Sequence, residues 1–286
     1  MKKIIFVTCA LGFFILLVFV YQKIKFDDGK LHLVVCDVGQ GDGIFIRTPG
    51  GSDILVDGGP DDSILKCLSN HMPFWDRKIE LMLLSHPHAD HMAGMVSILN
   101  SYQVSAFATE KLSNTTVIDK KLAKILETKN LKTQYIYAGD SFQVQDGLSF
   151  KILGPSKEFI ERTSPNGKIG ETKEFASLIS LVSFEEFNLI LTGDSQTEGL
   201  KEALGGNLGS IEIFQVPHHG SKYGMDLEIL DILKPKLAVI SVGKNNYGHP
   251  TKFILDLLSE FNIKTLRTDQ HGEVEIISDG KSFAIK

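Results

Sequence analysis

The heptapeptide Ser85-His86-Pro87-His88-Ala89-Asp90-His91, which directly follows the apolar run Leu81–Leu84, decides how the rest of this chain is read. It places three of the nine histidines and one aspartate within six positions. Two residues apart in an extended segment, His86 and His88 can turn to the same side and offer imidazole nitrogens to one ion. Asp90 and His91 fall where helical periodicity begins, so a carboxylate and a third imidazole point back across the loop. Asp90 is also placed to cap that helix. Imidazole with carboxylate suits borderline divalent metals such as zinc, manganese or iron. The competing reading is a polar loop whose histidines cluster by chance.

Outward from this motif the pattern is strands first, then alternation. Residues 31–37, 43–47 and 52–57 are short β-branched runs broken by Gly and Pro, as in a meander. A helix is expected at 61–71, and helical periodicity returns at 91–99 and Val117–Thr128. After a polar stretch at 156–173, strands are expected near 178–182, 189–191, 211–216, 237–241 and 264–267. Helices at 197–204, 226–233 and 252–261 alternate with them, and a hairpin around 278–281 closes the chain. Two sheets with helices on their outer faces would bury the strands on both sides and account for their plain apolar runs. The linker candidates, 26–30 and 156–173, do not divide the chain into domains.

With 286 residues and 31.6 kDa, the chain has room for one large domain or two small ones. At 43% hydrophobic and 23% charged residues it is neither disordered, collagenous nor coiled coil. A formal charge of −5 implies no general affinity for nucleic acid or anionic lipid. Cys9, Cys36 and Cys67 are too few and too scattered for a disulfide framework or a thiolate zinc site. Any metal therefore needs His and carboxylate ligands.

Residues 4–21 form an 18-residue uncharged run between Lys2, Lys3 and Lys23, Lys25. As a helix this run rises about 27 Å, close to the hydrocarbon thickness of a bilayer. The exit Phe19-Val20-Tyr21-Gln22-Lys23 lacks the small residues of a signal-peptidase site, which favours a retained anchor over a cleaved, secreted form. The expected division is 1–25 as anchor or uncleaved signal and 26–286 as the folded domain. A short basic tail kept inside the cell leaves a single-pass protein with its domain extracytoplasmic.

The H-x-H-x-D-H string at the end of a buried strand resembles the metallo-β-lactamase superfamily. Cys36-Asp37-Val38-Gly39-Gln40-Gly41-Asp42-Gly43 and Leu55-Val56-Asp57-Gly58-Gly59 narrow the resemblance to the ComEC-like extracellular hydrolase domains of competence DNA channels. Three later segments follow in the same order. They are Ile190-Leu191-Thr192-Gly193-Asp194, Val216-Pro217-His218-His219-Gly220-Ser221 and Ser241-Val242-Gly243-Lys244-Asn245-Asn246-Tyr247-Gly248-His249-Pro250. The resemblance implies an α/β fold, a four-layer αββα metallo-β-lactamase sandwich, here preceded by one N-terminal transmembrane helix.

It also implies one or two divalent ions, Zn or Mn. His86 and His88 would hold the first and Asp90 and His91 the second, with Asp194 bridging. His218 would complete the second site, or His219 if the register differs by one. Asp57 would accept a hydrogen bond behind the ligands. Asp37 and Asp42 flank a Gly-rich turn and fit either turn chemistry or a contact at the site. His219, Ser221 and Lys222 could donate to a bound phosphate, the last two equally being loop residues. A water between two dications loses a proton near neutral pH and becomes a nucleophile. Asp90 would orient it, and His249 would protonate the leaving group, bind phosphate or merely precede a helix. One departure stands out: no histidine occurs from Met92 to Pro217, where many superfamily members carry another ligand, and the segment there reads Lys173-Glu174-Phe175-Ala176-Ser177-Leu178.

Three functions follow from these expectations. The first is a membrane-anchored phosphodiesterase or nuclease acting on an anionic substrate such as DNA. The second is a small-substrate hydrolase cleaving a phosphoester, lactone or thioester. The third is a binding protein that has lost a working site. Residues 1–25 hold four lysines and no acid, so 26–286 carry 26 Lys+Arg against 35 Asp+Glu, or −9. That charge argues against a broad DNA-gripping face and for anion recognition at the metals.

Overall fold

A computed structural model of the chain describes residues 2–206 and 208–286. Its two main sheets meet face to face. In the first, the strands lie in the order Phe283–Ile285, Val274–Ser278, Leu31–Val35, Ile44–Arg47, Asp53–Val56, Leu81–Leu84, Phe107–Thr109, Thr133–Tyr135. The second runs Lys264–Arg267, Leu237–Ile240, Ile213–Gln215, Phe187–Leu191, Ile179–Phe184, Ser149–Gly154, Ser141–Gln143. Pairing is parallel from Asp53–Val56 through Thr133–Tyr135 and again from Phe187–Leu191 through Lys264–Arg267, and antiparallel elsewhere. Each sheet is thus a meander that turns into a helix-connected parallel half.

The apolar runs are explained by burial on both faces. Leu33, Ile44, Ile54 and Leu83 meet Phe150, Val182, Leu189 and Val239 between the sheets. Their neighbours Val34, Phe45, Leu55 and Met82 point the other way, onto the helices Ser63–His71, Ala89–Ser101 and Val117–Thr128. On the far side, Ile190, Phe214 and Ile240 lie under Thr197–Ala203, Leu227–Leu233 and Lys252–Glu260. The layering is α/β/β/α, as the resemblance implied.

Two expectations change. The polar stretch 156–173 opens with the helix Lys157–Thr163, whose first turn is capped by Ser156 Oγ accepting the Phe159 N–H at 2.9 Å. Only Phe159, Ile160 and Thr163 are buried there, too few to show a periodicity in the sequence. Cys36 and Cys67, read as too scattered for a disulfide framework, form a single disulfide with Cα atoms 5.8 Å apart. Cys36 ends the first strand's buried run and Cys67 lies on the inner face of the helix packed over it, a meeting that a separation of 31 residues conceals.

The amino-terminal helix Lys2–Phe26 is the one helix among the described residues long and apolar enough to cross a membrane. Mean hydropathy in its candidate span is 2.8, and none of that window is buried against the domain. Beyond it, His32 joins the linker to the last long strand, with Nε2 3.0 Å from Asp28 Oδ1 and Nδ1 2.9 Å from Glu275 Oε1. Burial would lower the His32 pKa, but Glu275 and Asp28 hold it above 6.5. Burial would raise Glu275, but the hydrogen bonds from His32 and Lys286 bring it down to about 2.

Both groups stabilise the fold together only in mildly acidic solution. The His32 contribution is complete below pH 6.5 and fades as pH climbs through its raised folded value. That of Glu275 is complete above pH 4.5 and fades as pH falls toward about 2. His32→Gln should therefore cost most between those two pH values and progressively less in alkali, read as urea midpoints against pH. Separately, Cys67→Ser should lower the unfolding free energy by about 3–4 kcal/mol on the chain-entropy argument for this loop. Reductant should lower the wild-type thermal midpoint and leave that of the variant unchanged.

Candidate metal centre

The candidate ligands, and Asp57 behind them, follow the carboxyl ends of parallel-paired strands, where the chain leaves the sheet and polar groups need not meet apolar neighbours. Asp57 follows Asp53–Val56, and His86 to His91 follow Leu81–Leu84. Asp194 follows Phe187–Leu191, and His218 and His219 follow Ile213–Gln215. The first sheet therefore supplies the H-x-H-x-D-H ligands and the second supplies the carboxylate opposite them. Leu178 N–H donates to Ser85 C=O at 2.8 Å, tying the two strand-end loops together.

Asp194 divides the histidines into two groups. Its Oδ1 lies 3.2 Å from His91 Nε2 and 3.4 Å from His219 Nε2. Its Oδ2 lies 3.8 Å from His86 Nε2 and 3.7 Å from His218 Nε2. Asp90, His91, Asp194 and His219 offer ligand atoms that all lie within 4.8 Å of one another, and so do His86, His88 and Asp194.

Hydrogen bonds behind the imidazoles orient them. His91 Nδ1 meets Asp57 Oδ2 at 2.8 Å, and His219 Nδ1 donates to the Ser241 carbonyl at 2.9 Å. Both rings therefore present an unprotonated-capable Nε2 to the interior. His86 Nδ1 faces Ser85 Oγ at 3.0 Å, and that hydroxyl donates to Asp57 at 2.7 Å. Three buried atoms, His91 Nε2, His219 Nε2 and Asp194 Oδ1, converge with no hydrogen-bond partner. Unsatisfied polar atoms are costly in an interior, and a divalent ion satisfies all three at once. The donor set fits the borderline metals anticipated above.

The charges follow the same geometry. Burial would lower His91, but Asp194 and Asp57 hold it well above the usual histidine range. Burial also opposes His219, yet Asp194 and Asp90 bring it up to about 9. Burial, together with the neighbouring His91, drives His86 well below its usual value. An ion at the Oδ1 side must displace protons, so its binding tightens as pH rises.

Close backbone contacts hold the ligand loop. Asp42 N–H donates to Asp90 C=O at 3.2 Å, and Gly58 N–H to His91 C=O at 2.6 Å. A Cβ on Gly41 would lie 2.2 Å from Asp90 O, and one on Gly94 would lie 1.9 Å from Gly58 O. Only glycine permits this approach at either place. The Gly-rich turn cradles the backbone of Asp90 and His91.

The sequence-predicted residues are not all placed alike. His219, rather than the favoured His218, joins Asp90 and His91; both stand at positive φ, 52° and 55°, a turn whose register the sequence does not reveal. His218 faces the other oxygen of Asp194. Asp37 is exposed and, among the described residues, accepts the Gly39 N–H alone at 3.5 Å, away from the candidate ligands. That place belongs to Asp42, which is buried, accepts from Gln215 Nε2 and lies 3.6 Å from His219 Nδ1. Ser221 is buried and accepts the Tyr223 N–H, while Lys222 is exposed over the Tyr223 ring, so neither is directed at the clusters. His249 stacks edge-on against His218, their ring centroids 5.5 Å apart. Burial, with His218 and His219 close by, brings it down to about 4.

Phe175 was not anticipated. It comes from the segment lacking a histidine and rests on His86, His88 and His218, with centroids 5.5, 5.2 and 5.7 Å away. Two residues on, Ser177 Oγ accepts the Asp194 N–H at 3.2 Å. In the sequence, the missing histidine marks the place but not what fills it.

Fold and site together define a metallo-β-lactamase fold. The model of the Beta-lactamase superfamily domain matches residues 52–179. The metallo-beta-lactamase fold protein YhfI of Bacillus subtilis superposes with a TM-score of 0.58 over 86% of this chain and 99% of its own, at 12% identity. Along the sequence, the chain is 28% identical to ComE operon protein 3 of Bacillus subtilis (strain 168), over 94% of this chain and 35% of that protein. It is 25% identical to competence protein ComA of Neisseria gonorrhoeae, over 89% of this chain and 33% of that protein. The chain thus spans about a third of the length of these curated relatives.

Asp57→Ala removes the shared acceptor behind Ser85 and His91. Metal affinity should fall by about 10–100-fold, as for other supporting groups behind histidine ligands. Titration with Zn²⁺ or Mn²⁺ against a competing chelator measures it directly.

Proposed function

We propose that the chain is a membrane-anchored, metal-dependent phosphodiesterase whose domain faces the outside of the cell and cleaves DNA. The single observation that carries the hydrolase part is Asp194, a buried carboxylate with one oxygen turned to His91 and His219 and the other to His86 and His218. On this reading Asp90, His91, Asp194 and His219 hold one ion, and His86, His88 and Asp194 hold another. Divalent ions there would supply Lewis acidity and an activated water. Asp90, the more exposed carboxylate, would orient that water from the open side. Asp57, Asp42 and Ser241 would keep the imidazoles fixed as charge develops. Phe175 would exclude solvent from the His86 side.

The DNA part draws on the competence protein of Neisseria gonorrhoeae among the relatives. The anchored, outward placement draws on the flanking lysines and on a disulfide that suits an oxidising compartment. Two observations favour a second reading, a small-substrate hydrolase: the net charge of −9 on residues 26–286, and Lys222 lying over the Tyr223 ring.

The test is the full chain in detergent with Mn²⁺ or Zn²⁺, assayed on single-stranded DNA, bis-p-nitrophenyl phosphate and a lactone. Cleavage of DNA and of the phosphodiester is expected, and His91→Ala should lower kcat/KM about a thousandfold, the several kcal/mol a metal centre supplies. Lactone turnover without phosphodiester cleavage would replace the nuclease reading with the second one. Equal activity in His91→Ala and Asp194→Ala would remove the metal mechanism.

A further inference from the structure

The loop Pro73-Phe74-Trp75, between the helix Ser63–His71 and the strand Lys78–Ile79, carries two large aromatic side chains that the domain does not cover. Phe74 is 56% exposed and Trp75 40% exposed. They stand edge to face, centroids 4.9 Å apart. Such a pair on a loop is unusual for a surface in contact with water alone. Its neighbour in space is the amino-terminal helix. Trp75 stacks on Phe19 with centroids 4.4 Å apart, and the Phe74 N–H donates to Gln22 Oε1 at 3.3 Å. Lys25 Nζ donates to the Asn70 carbonyl at 3.1 Å, so the contact extends along the end of the helix.

Depth follows from helix geometry. Phe19 lies inside the uncharged run and four residues before Lys23, the first charge after it. At 1.5 Å per residue that is about 6 Å on the apolar side of the lysine, the level of the boundary between headgroups and acyl chains. Tryptophan prefers this level because its ring is apolar and its indole N–H finds a polar partner.

We infer that Pro73-Phe74-Trp75 is a second membrane contact, an aromatic foot that enters the lipid boundary beside the span and fixes the domain against the bilayer surface. The inference rests on the reading of residues 4–21 as a retained span. Its occupant is a phospholipid bilayer, argued from continuity with that span. One transmembrane helix alone leaves a domain free to swing; a second contact beside it sets the tilt.

Trp75 is the single tryptophan of the chain, so its fluorescence reports this loop alone. The full chain is reconstituted in phosphatidylcholine–phosphatidylglycerol vesicles, with flotation measured on the same sample. Matched vesicles carry bromine either near the headgroup end or deep in the acyl chains. With the chain floating, shallow bromine should remove most of the Trp75 emission, deep bromine less, and aqueous iodide should quench several-fold less than in the urea-unfolded chain. Emission untouched by bromine and open to iodide overturns the proposal. Emission shielded from iodide yet untouched by bromine also overturns it, showing a protein cover such as a second copy. Failure to float is a different result: it refutes the span, and the foot with it. Phe74→Ala, which keeps the reporter, should reduce the bromine quenching while flotation persists; unchanged quenching would count against a role for Phe74 in the foot.

Discussion

A carboxylate sealed between two sheets is stable only if cations or strong donors face it, and Asp194 is such a group. Its burial alone would favour the neutral acid, yet the surrounding imidazoles hold it well below the usual carboxylate range. Two of the four imidazoles that face it, His86 and His91, come from the opposite sheet. Their attraction therefore acts across the seam of the sandwich, and the inter-sheet core has to bring the strand ends into register before it can act.

The layers around that seam explain which polar groups the chain can keep inside. Strands buried on both faces carry little charge unless it is paired, as Arg47 is with Asp53, and the polar groups of the site gather at the carboxyl ends, where the chain turns into loops. Asp57 shows the arrangement well: at φ 61° its carboxylate reaches Ser85 N–H, Ser85 Oγ and His91 Nδ1 together. Glycines at 41 and 94 let neighbouring backbones touch the ligand loop without intervening side chains. The loop is held by the Asp42 and Gly58 N–H groups and by the Asp57 carboxylate.

Much of the centre was legible in the chain. His86, His88, Asp90 and His91 are close in sequence and ride on one strand-to-helix turn, so their spacing alone predicts a common site. Asp57 and Asp194 were legible as the ends of apolar runs followed by glycine or polar turns. His219 over His218 was not, because adjacent residues in a left-handed turn point apart by an amount that only the backbone sets. Asp42 over Asp37 failed for a related reason: both flank the same glycines, and which of them is buried depends on the packing of residues 89–91 against the turn. Phe175 was invisible because the sequence shows a missing histidine, and not what fills its place.

The sequence by itself determined the two-sheet pattern, the apolar amino-terminal run and the ligand types, since periodicity, hydropathy and donor chemistry are properties of short segments. Tertiary structure alone decided the Cys36–Cys67 bond, the division of the imidazoles between the two oxygens of Asp194, and the stacking of Trp75 on Phe19. Each joins residues far apart in the chain. Such meetings are set by how whole layers pack, because the free energy that selects them is spread over the core and is not written at either partner.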